Sequence, residues 1–145
     1  MSTRSYILHE QDDGTVRASY VHFDGYFGNV GRMLVEHYDY DAAPHEITTL
    51  GALRYLERKL FPSGEEHSFL HPEGGVTVAY HRDRGDELHR GDFPSFKSWL
   101  DHLRKRGDIE YAYFRRHGKW WGMRVPELHP IDLKTRLALG NLPEY

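Results

Sequence analysis

The chain has 145 residues, of which 39% are hydrophobic and 28% charged, and a formal net charge of -3. These values describe one ordinary domain with enough apolar side chains for a core, and they exclude a disordered chain and a nucleic-acid binder that works through overall charge. No apolar run approaches the ~20 residues of a membrane helix, and the absence of cysteine excludes disulfides, thiolate metal ligands and a Cys nucleophile.

Residues 4–10, RSYILHE, read as a first strand, and Asp12-Asp13-Gly14 as a hairpin turn. Residues 15–24 return as a second strand, with Val16, Ala18, Tyr20, His22 and Asp24 on one face by the two-residue period. The run GYFGNVG follows, and either Gly25 or Gly28 is expected at positive φ in the corner after Asp24. Asn29 then suits the cap of a helix over about 30–39, whose apolar side is Val30, Met33, Leu34 and Tyr38. Asp41 and Pro44 suit a second helix start and Gly51 its end, and the spacing of Leu53, Leu56 and Leu60 predicts a further short helix.

Residues 62–74 are the clearest loop, punctuated by Pro62, Gly64, Pro72 and Gly74. VTVAYHRDRG reads as a third strand with Val76, Val78 and Tyr80 on one face. A helix is predicted from about Ser95 to Arg106, with Phe96, Trp99, Leu100 and Leu103 as its apolar stripe and Arg104, Lys105 and Arg106 complementing its dipole. IEYAYFRRHGKWWGMRV reads as a hairpin turning at His117-Gly118, with Trp121, Met123 and Val125 on one face and Trp120 on the other. Pro130 opens a last short helix that ends at Gly140. The order predicts a single α+β domain, with an antiparallel sheet of about five strands and helices packed on it.

Chemistry is concentrated in histidine, of which there are eleven. Two His-x-Asp pairs occur, His22/Asp24 and His81/Asp83, and each would share one face of a strand. Imidazole with carboxylate suits a transition metal, but no HExxH accompanies the pairs, and no metal or cofactor is expected. The glycine run before a helix could cradle an anion, although it has neither GxGxxG spacing nor a Walker lysine. The polar residues His22, Asp24, Tyr26, His37, Arg84 and Asp86 are expected to gather where the second strand meets the first helix. There His22 with Asp24 or Asp86 would supply acid–base chemistry, and Arg82 and Arg84 could hold an anion. Residues 97–136 carry ten Lys/Arg against five Asp/Glu and leave the rest of the chain acidic. Within them Arg115, Arg116, Lys119 and Trp120 mix cations with an aromatic ring as interaction surfaces do.

The stretch Thr3-Arg4-Ser5, Asp13-Gly14, His22-Phe23-Asp24-Gly25-Tyr26, Val30-Gly31, Leu34 and Glu36-His37-Tyr38 resembles the start of a family of small phage and bacterial proteins. Later matches are Arg84-Gly85-Asp86, Tyr111-Ala112-Tyr113 and Trp120-Trp121. The chain departs from the family's pattern at Phe27, where Pro is common, and near Leu88, where a Cys is common. The resemblance implies a phage or mobile-element setting and carries over no catalytic residue.

Two functions follow as expectations. The first is a phage-type accessory module that engages or inhibits a host protein or defence component. It would act in the host cytoplasm, because the N-terminal residues lack a signal peptide's apolar stretch, with no membrane partner and nucleic acid disfavoured. The second is an enzyme, or a nucleotide- or phosphate-binding protein, that uses the polar corner around HFDGY.

Overall fold

Two hairpins form the middle of the sheet. The computed structural model describes residues 2–64 and 66–145, so Met1 and Glu65 of the 62–74 loop lie outside it. Strand β1 (Ser5–Glu10) pairs antiparallel with β2 (Val16–Val21). Their turn is held by Asp13, whose carboxylate accepts from the Thr15 amide and hydroxyl, and by Gly14 at φ 85°. The second hairpin comes late in the chain: β6 (Tyr111–Arg116) and β7 (Lys119–Arg124), turning at His117 and Gly118, both at positive φ.

The remaining strands complete a mixed sheet of eight, in the order β4-β3-β2-β1-β6-β7-β8 with β5 also on β2. β6 lies parallel to β1, and the short β3 (Leu53–Tyr55) parallel to β2. β4 (Val78–Ala79), β5 (Gly91–Phe93) and β8 (Ile131–Asp132) are short antiparallel additions. The domain is thus α+β, but the sheet is neither wholly antiparallel nor limited to five strands. Each hairpin is encoded locally. How two hairpins about a hundred residues apart dock is not, because that depends on the connections between them.

Helices α1 (Arg32–His37), α2 (Ala43–Thr49) and α5 (Leu133–Ala138), with a π-helical turn at Phe27–Gly31, cover one face over Ile7, Val21, Tyr113 and Trp120. Helix α4 (Phe96–Lys105) covers the other, where Trp99 and Leu103 pack with Leu8, Ala18, Ala112 and Phe114. Ser95 caps α4 by accepting from the Ser98 amide. The short α3 (Tyr80–Arg84) follows β4 directly, where a continuing strand was predicted.

Three further expectations are corrected. Leu53, Leu56 and Leu60 are buried but not helical: β2 has an open edge, and the His22 and Phe23 amides donate to the Leu53 and Arg54 carbonyls at 3.0 Å. A helix that short is marginal alone, so the sheet edge wins. Asn29 caps no helix; its amide donates to the Asp24 carbonyl at 2.9 Å. The positive φ of the corner belongs to Asp24, at 57°, and to neither Gly25 nor Gly28.

Gly25 has a different reason to be glycine. A Cβ there would lie 2.5 Å from Ser5 Oγ and 2.9 Å from the Thr3 carbonyl oxygen. The Gly25 amide donates to that carbonyl at 2.9 Å, and its own carbonyl accepts from the buried Tyr113 hydroxyl at 2.6 Å. Gly25→Ala should therefore destabilise by about 1–3 kcal/mol. Trp99→Ala, which empties the centre of the α4 core, should cost ~3–5 kcal/mol. Urea unfolding of both variants checks these values, and a Trp99→Ala midpoint equal to wild type would contradict the packing of α4.

Candidate functional site

Alternation along β2 sends Tyr20, and His22 just beyond the strand, to the α4 face of the sheet. Tyr20 Oη and His22 Nδ1 stand 2.6 Å apart. Burial raises the pKa of Tyr20 against the opposing effect of Arg4. Burial also lowers that of His22, and the charges of Arg4 and Arg54 lower it further. Both shifts favour the neutral forms, so the contact joins a protonated phenol to a neutral imidazole.

Tyr6 of β1 lies beside Tyr20, with ring centroids 6.3 Å apart. Beyond the end of α4, Arg106 donates to Tyr6 Oη at 2.9 Å and forks onto both oxygens of Asp108 at 2.8 Å. That fork holds Asp108 below the usual carboxylate range. On the other side, residues 86–91 cross as a strap over the end of α2. The Ala52 amide donates to the His89 carbonyl at 2.8 Å. Gly51 permits the crossing: its φ is 71°, and a Cβ would meet the same carbonyl oxygen at 2.8 Å.

These elements enclose an open cleft of about 340 Å³, walled by Tyr6, Tyr20, His89, Arg90, Arg106 and Asp108. No Ser, Thr or Cys lines it. Among the described residues, none of the Arg4, Arg54 and Arg90 guanidiniums lies within ion-pair distance of a carboxylate. The cleft wall thus offers phenol hydroxyls and the Arg90 guanidinium, with the charges of Arg4 and Arg54 acting on Tyr20 and His22 beside it, a set suited to holding an anion.

The six residues expected in one polar cluster separate. His22 joins Tyr20, Arg4 and Arg54. His37, at the end of α1, lies across the sheet in a recess with Tyr40, Arg58 and Phe61. Tyr26 turns toward the C-terminal residues, its ring 5.2 Å from that of Tyr145, while Asp24 is exposed at the corner. Arg84 and Asp86 form an ion pair of their own. The cause is the corner itself: the chain crosses there from one face to the other, so strand and helix residues adjacent in sequence end on opposite sides.

His22 and Arg84 are nevertheless linked by a series of rings and guanidiniums. The Arg54 guanidinium carbon lies 5.9 Å from the Phe23 centroid and 4.8 Å from that of Phe69. Arg84 lies 4.6 Å from Phe69 and 4.9 Å from Tyr80. Phe69 belongs to the 62–74 loop, which is tied down by the buried His67. His67 Nε2 lies 3.1 Å from Asp83 Oδ2, and its Nδ1 accepts from the Glu73 amide at 3.0 Å. Burial pushes the Asp83 pKa up, but bonds from Arg82 and the Ala79 amide, with the His67 ring in contact, outweigh it and hold the carboxyl low. The second His-x-Asp pair is thereby split: His81 Nδ1 contacts the Asp86 carbonyl, and Asp83 faces inward. Among the described residues, no group of three or more His, Asp and Glu could hold a metal ion.

The cations of the expected interaction surface are each paired with a carboxylate. Arg115 pairs with Asp39 and Asp41 and is only 8% exposed, Arg116 pairs with Glu10, and Lys119 pairs with Asp132. Trp120 is buried and donates its indole N–H to the Tyr38 carbonyl at 2.8 Å. No local pattern marks the cleft residues as a set, because they come from five separate stretches of the chain. The one local signal was the Tyr20/His22 alternation on a strand face.

Comparison with protein-family models, with curated proteins and with solved structures returned no match. No helix among the described residues is long and apolar enough to cross a membrane.

His9, His22 and His102 all have pKa values lowered chiefly by burial. A base with a depressed folded pKa leaves the unfolded chain binding more protons, so stability is present above the unfolded value of about 6.5 and is lost as pH falls through the folded values. The melting temperature should begin to fall below about pH 6.5, before the paired carboxylates titrate. A flat melting temperature from pH 7 to 5 would contradict the burial of these rings.

Proposed function

We propose that the protein is a binding module of the phage accessory kind implied by the resemblance, and that its tyrosine–arginine cleft holds an anionic ligand. The observation that carries this reading is Arg90 in the cleft wall with Tyr20, together with Arg4, whose charge acts on Tyr20 and His22, and Arg54, whose charge acts on His22; none of the three is paired with a carboxylate among the described residues. Most cations of the basic C-terminal part are neutralised by neighbours, whereas these are not. Engagement of a host protein or defence component through Arg115, Arg116, Lys119 and Trp120 has less support, because three of those side chains are paired and the fourth is buried.

Calorimetric titration with inorganic pyrophosphate tests the reading. Arg90→Gln should weaken binding about tenfold, the loss of one charge-assisted contact. Sulfate, whose charge does not change between pH 7.5 and 5.5, should bind more tightly as pH falls through that range: a bound anion offsets the field of Arg4 and Arg54, His22 takes up a proton, and proton uptake on binding means tighter binding in acid. Pyrophosphate binding that is absent, or unaltered in Arg90→Gln, would refute the reading.

A further inference from the structure

We propose that the anion held in the cleft belongs to a single nucleotide, its phosphate among Arg4, Arg90 and Tyr20 and its base against Phe23 and Arg54. The proposal rests on the anion-binding reading of the cleft and adds the chemical class of the anion.

A phosphate requires cations and hydrogen-bond donors; it has no need of rings. Yet a series of alternating rings and guanidiniums runs on from His22, outside the cleft wall itself: Phe23, Arg54, Phe69, Arg84 and Tyr80. Planar cations and aromatic faces are the surfaces on which nucleobases stack. Phe69 already has two guanidiniums close by, at 4.8 and 4.6 Å, whereas Phe23 has one at the longer 5.9 Å and is the less engaged ring. Phe23 also connects to the cleft: its centroid lies 4.5 Å from that of His22, whose Nδ1 is 2.6 Å from the hydroxyl of the cleft-lining Tyr20. Arg54 serves both parts, stacking on the rings and adding to the positive field at His22.

The series of rings has dedicated support. The 62–74 loop buries the His67–Asp83 contact, with side chains 2% and 4% exposed, beside a bond from its own Glu73 amide. A buried polar contact of that kind adds little net stability over an apolar packing, and its better-attested use is to specify one arrangement. The arrangement it specifies here places the half-buried Phe69 between Arg54 and Arg84.

Charge selects one nucleotide over a strand. Asp86 and Asp108 border the cationic zone, and the chain carries a net charge of -3, both unfavourable for the successive phosphates of a polymer.

Calorimetry on the full chain should compare ribose 5-phosphate, the four ribonucleoside 5′-monophosphates and an eight-residue oligodeoxyadenylate. At least one nucleoside monophosphate should bind ten times more tightly than ribose 5-phosphate. Phe23→Leu keeps an apolar group of similar size but removes the ring, and should erase that advantage while leaving ribose 5-phosphate affinity unchanged. Arg90→Gln should weaken both ligands by the same factor. Circular dichroism and melting curves confirm that the variants fold, and Phe23→Tyr, which keeps the ring, should restore the advantage. Equal affinity for ribose 5-phosphate and every monophosphate would overturn the nucleotide assignment and leave the anion site standing. No binding of any phosphate would remove both. An oligonucleotide held ten times more tightly than any monophosphate, with steep salt dependence, would overturn the choice of a single nucleotide.

Discussion

The close approach of Gly25 to Ser5 is the contact on which the arrangement of both sheet faces depends. The chain leaves β2 at its Val21 end and must pass from one face to the other within a few residues. Asp24 takes the left-handed backbone conformation, Gly25 presses against β1, and the Tyr113 hydroxyl grips the Gly25 carbonyl from β6. Tyr113 is fully buried, so that hydroxyl needs a partner, and the corner provides one. The π-helical turn that follows delivers Phe27, Val30, Leu34 and Tyr38 to one core. Tyr20 and His22 remain behind on the other side. A single corner thus separates a packed face from a face with a polar, accessible end.

Electrostatic pairing, not charge count, decides where positive potential survives. The basic C-terminal part looks like a binding surface in composition, yet Arg115, Arg116, Lys119 and Lys134 are each matched to an acid from elsewhere in the chain. Such surface pairs contribute little to stability, but they cancel the local field. The cleft collects a different set. Arg106 is also neutralised, by Asp108, yet it anchors Tyr6 and so shapes the wall. Arg90 contributes charge from the strap before β5, and Arg4, just before β1, and Arg54 of β3 add their fields at Tyr20 and His22 beside it.

The 62–74 loop shows how an irregular segment can acquire a defined position. It has few apolar contacts to hold it, and Leu70 at its tip is exposed. His67 and Asp83 attach it to α3, and Phe69 inserts between arginines of β3 and α3. The same Asp83 accepts from the Ala79 amide at the start of α3. One carboxylate therefore terminates the strand, opens the helix and fixes the loop, which explains why VTVAYHRDRG stops being a strand after two paired residues.

Much of the fold was legible in the sequence because it is set by local chemistry. Asp13-Gly14 and His117-Gly118 turn their hairpins, Ser95 caps α4, and the Phe96/Trp99/Leu103 stripe faces a core, since each depends on residues only a few positions apart. The alternation that aligns Tyr20 with His22 is of the same kind, and it is the part of the candidate site that the sequence alone determined. Tertiary structure decided the rest. The open edge of β2 converted a helix-like leucine spacing into a strand, and the docking of β6 beside β1 made the sheet mixed. The corner at Gly25 sent His22 and His37 to opposite faces, and pairing with distant acids engaged the cations of the expected interaction surface. The physical reason is common to all four: a free sheet edge, a close backbone contact and an ion pair are each completed by a partner far away in the chain, and no local pattern records which partner will arrive.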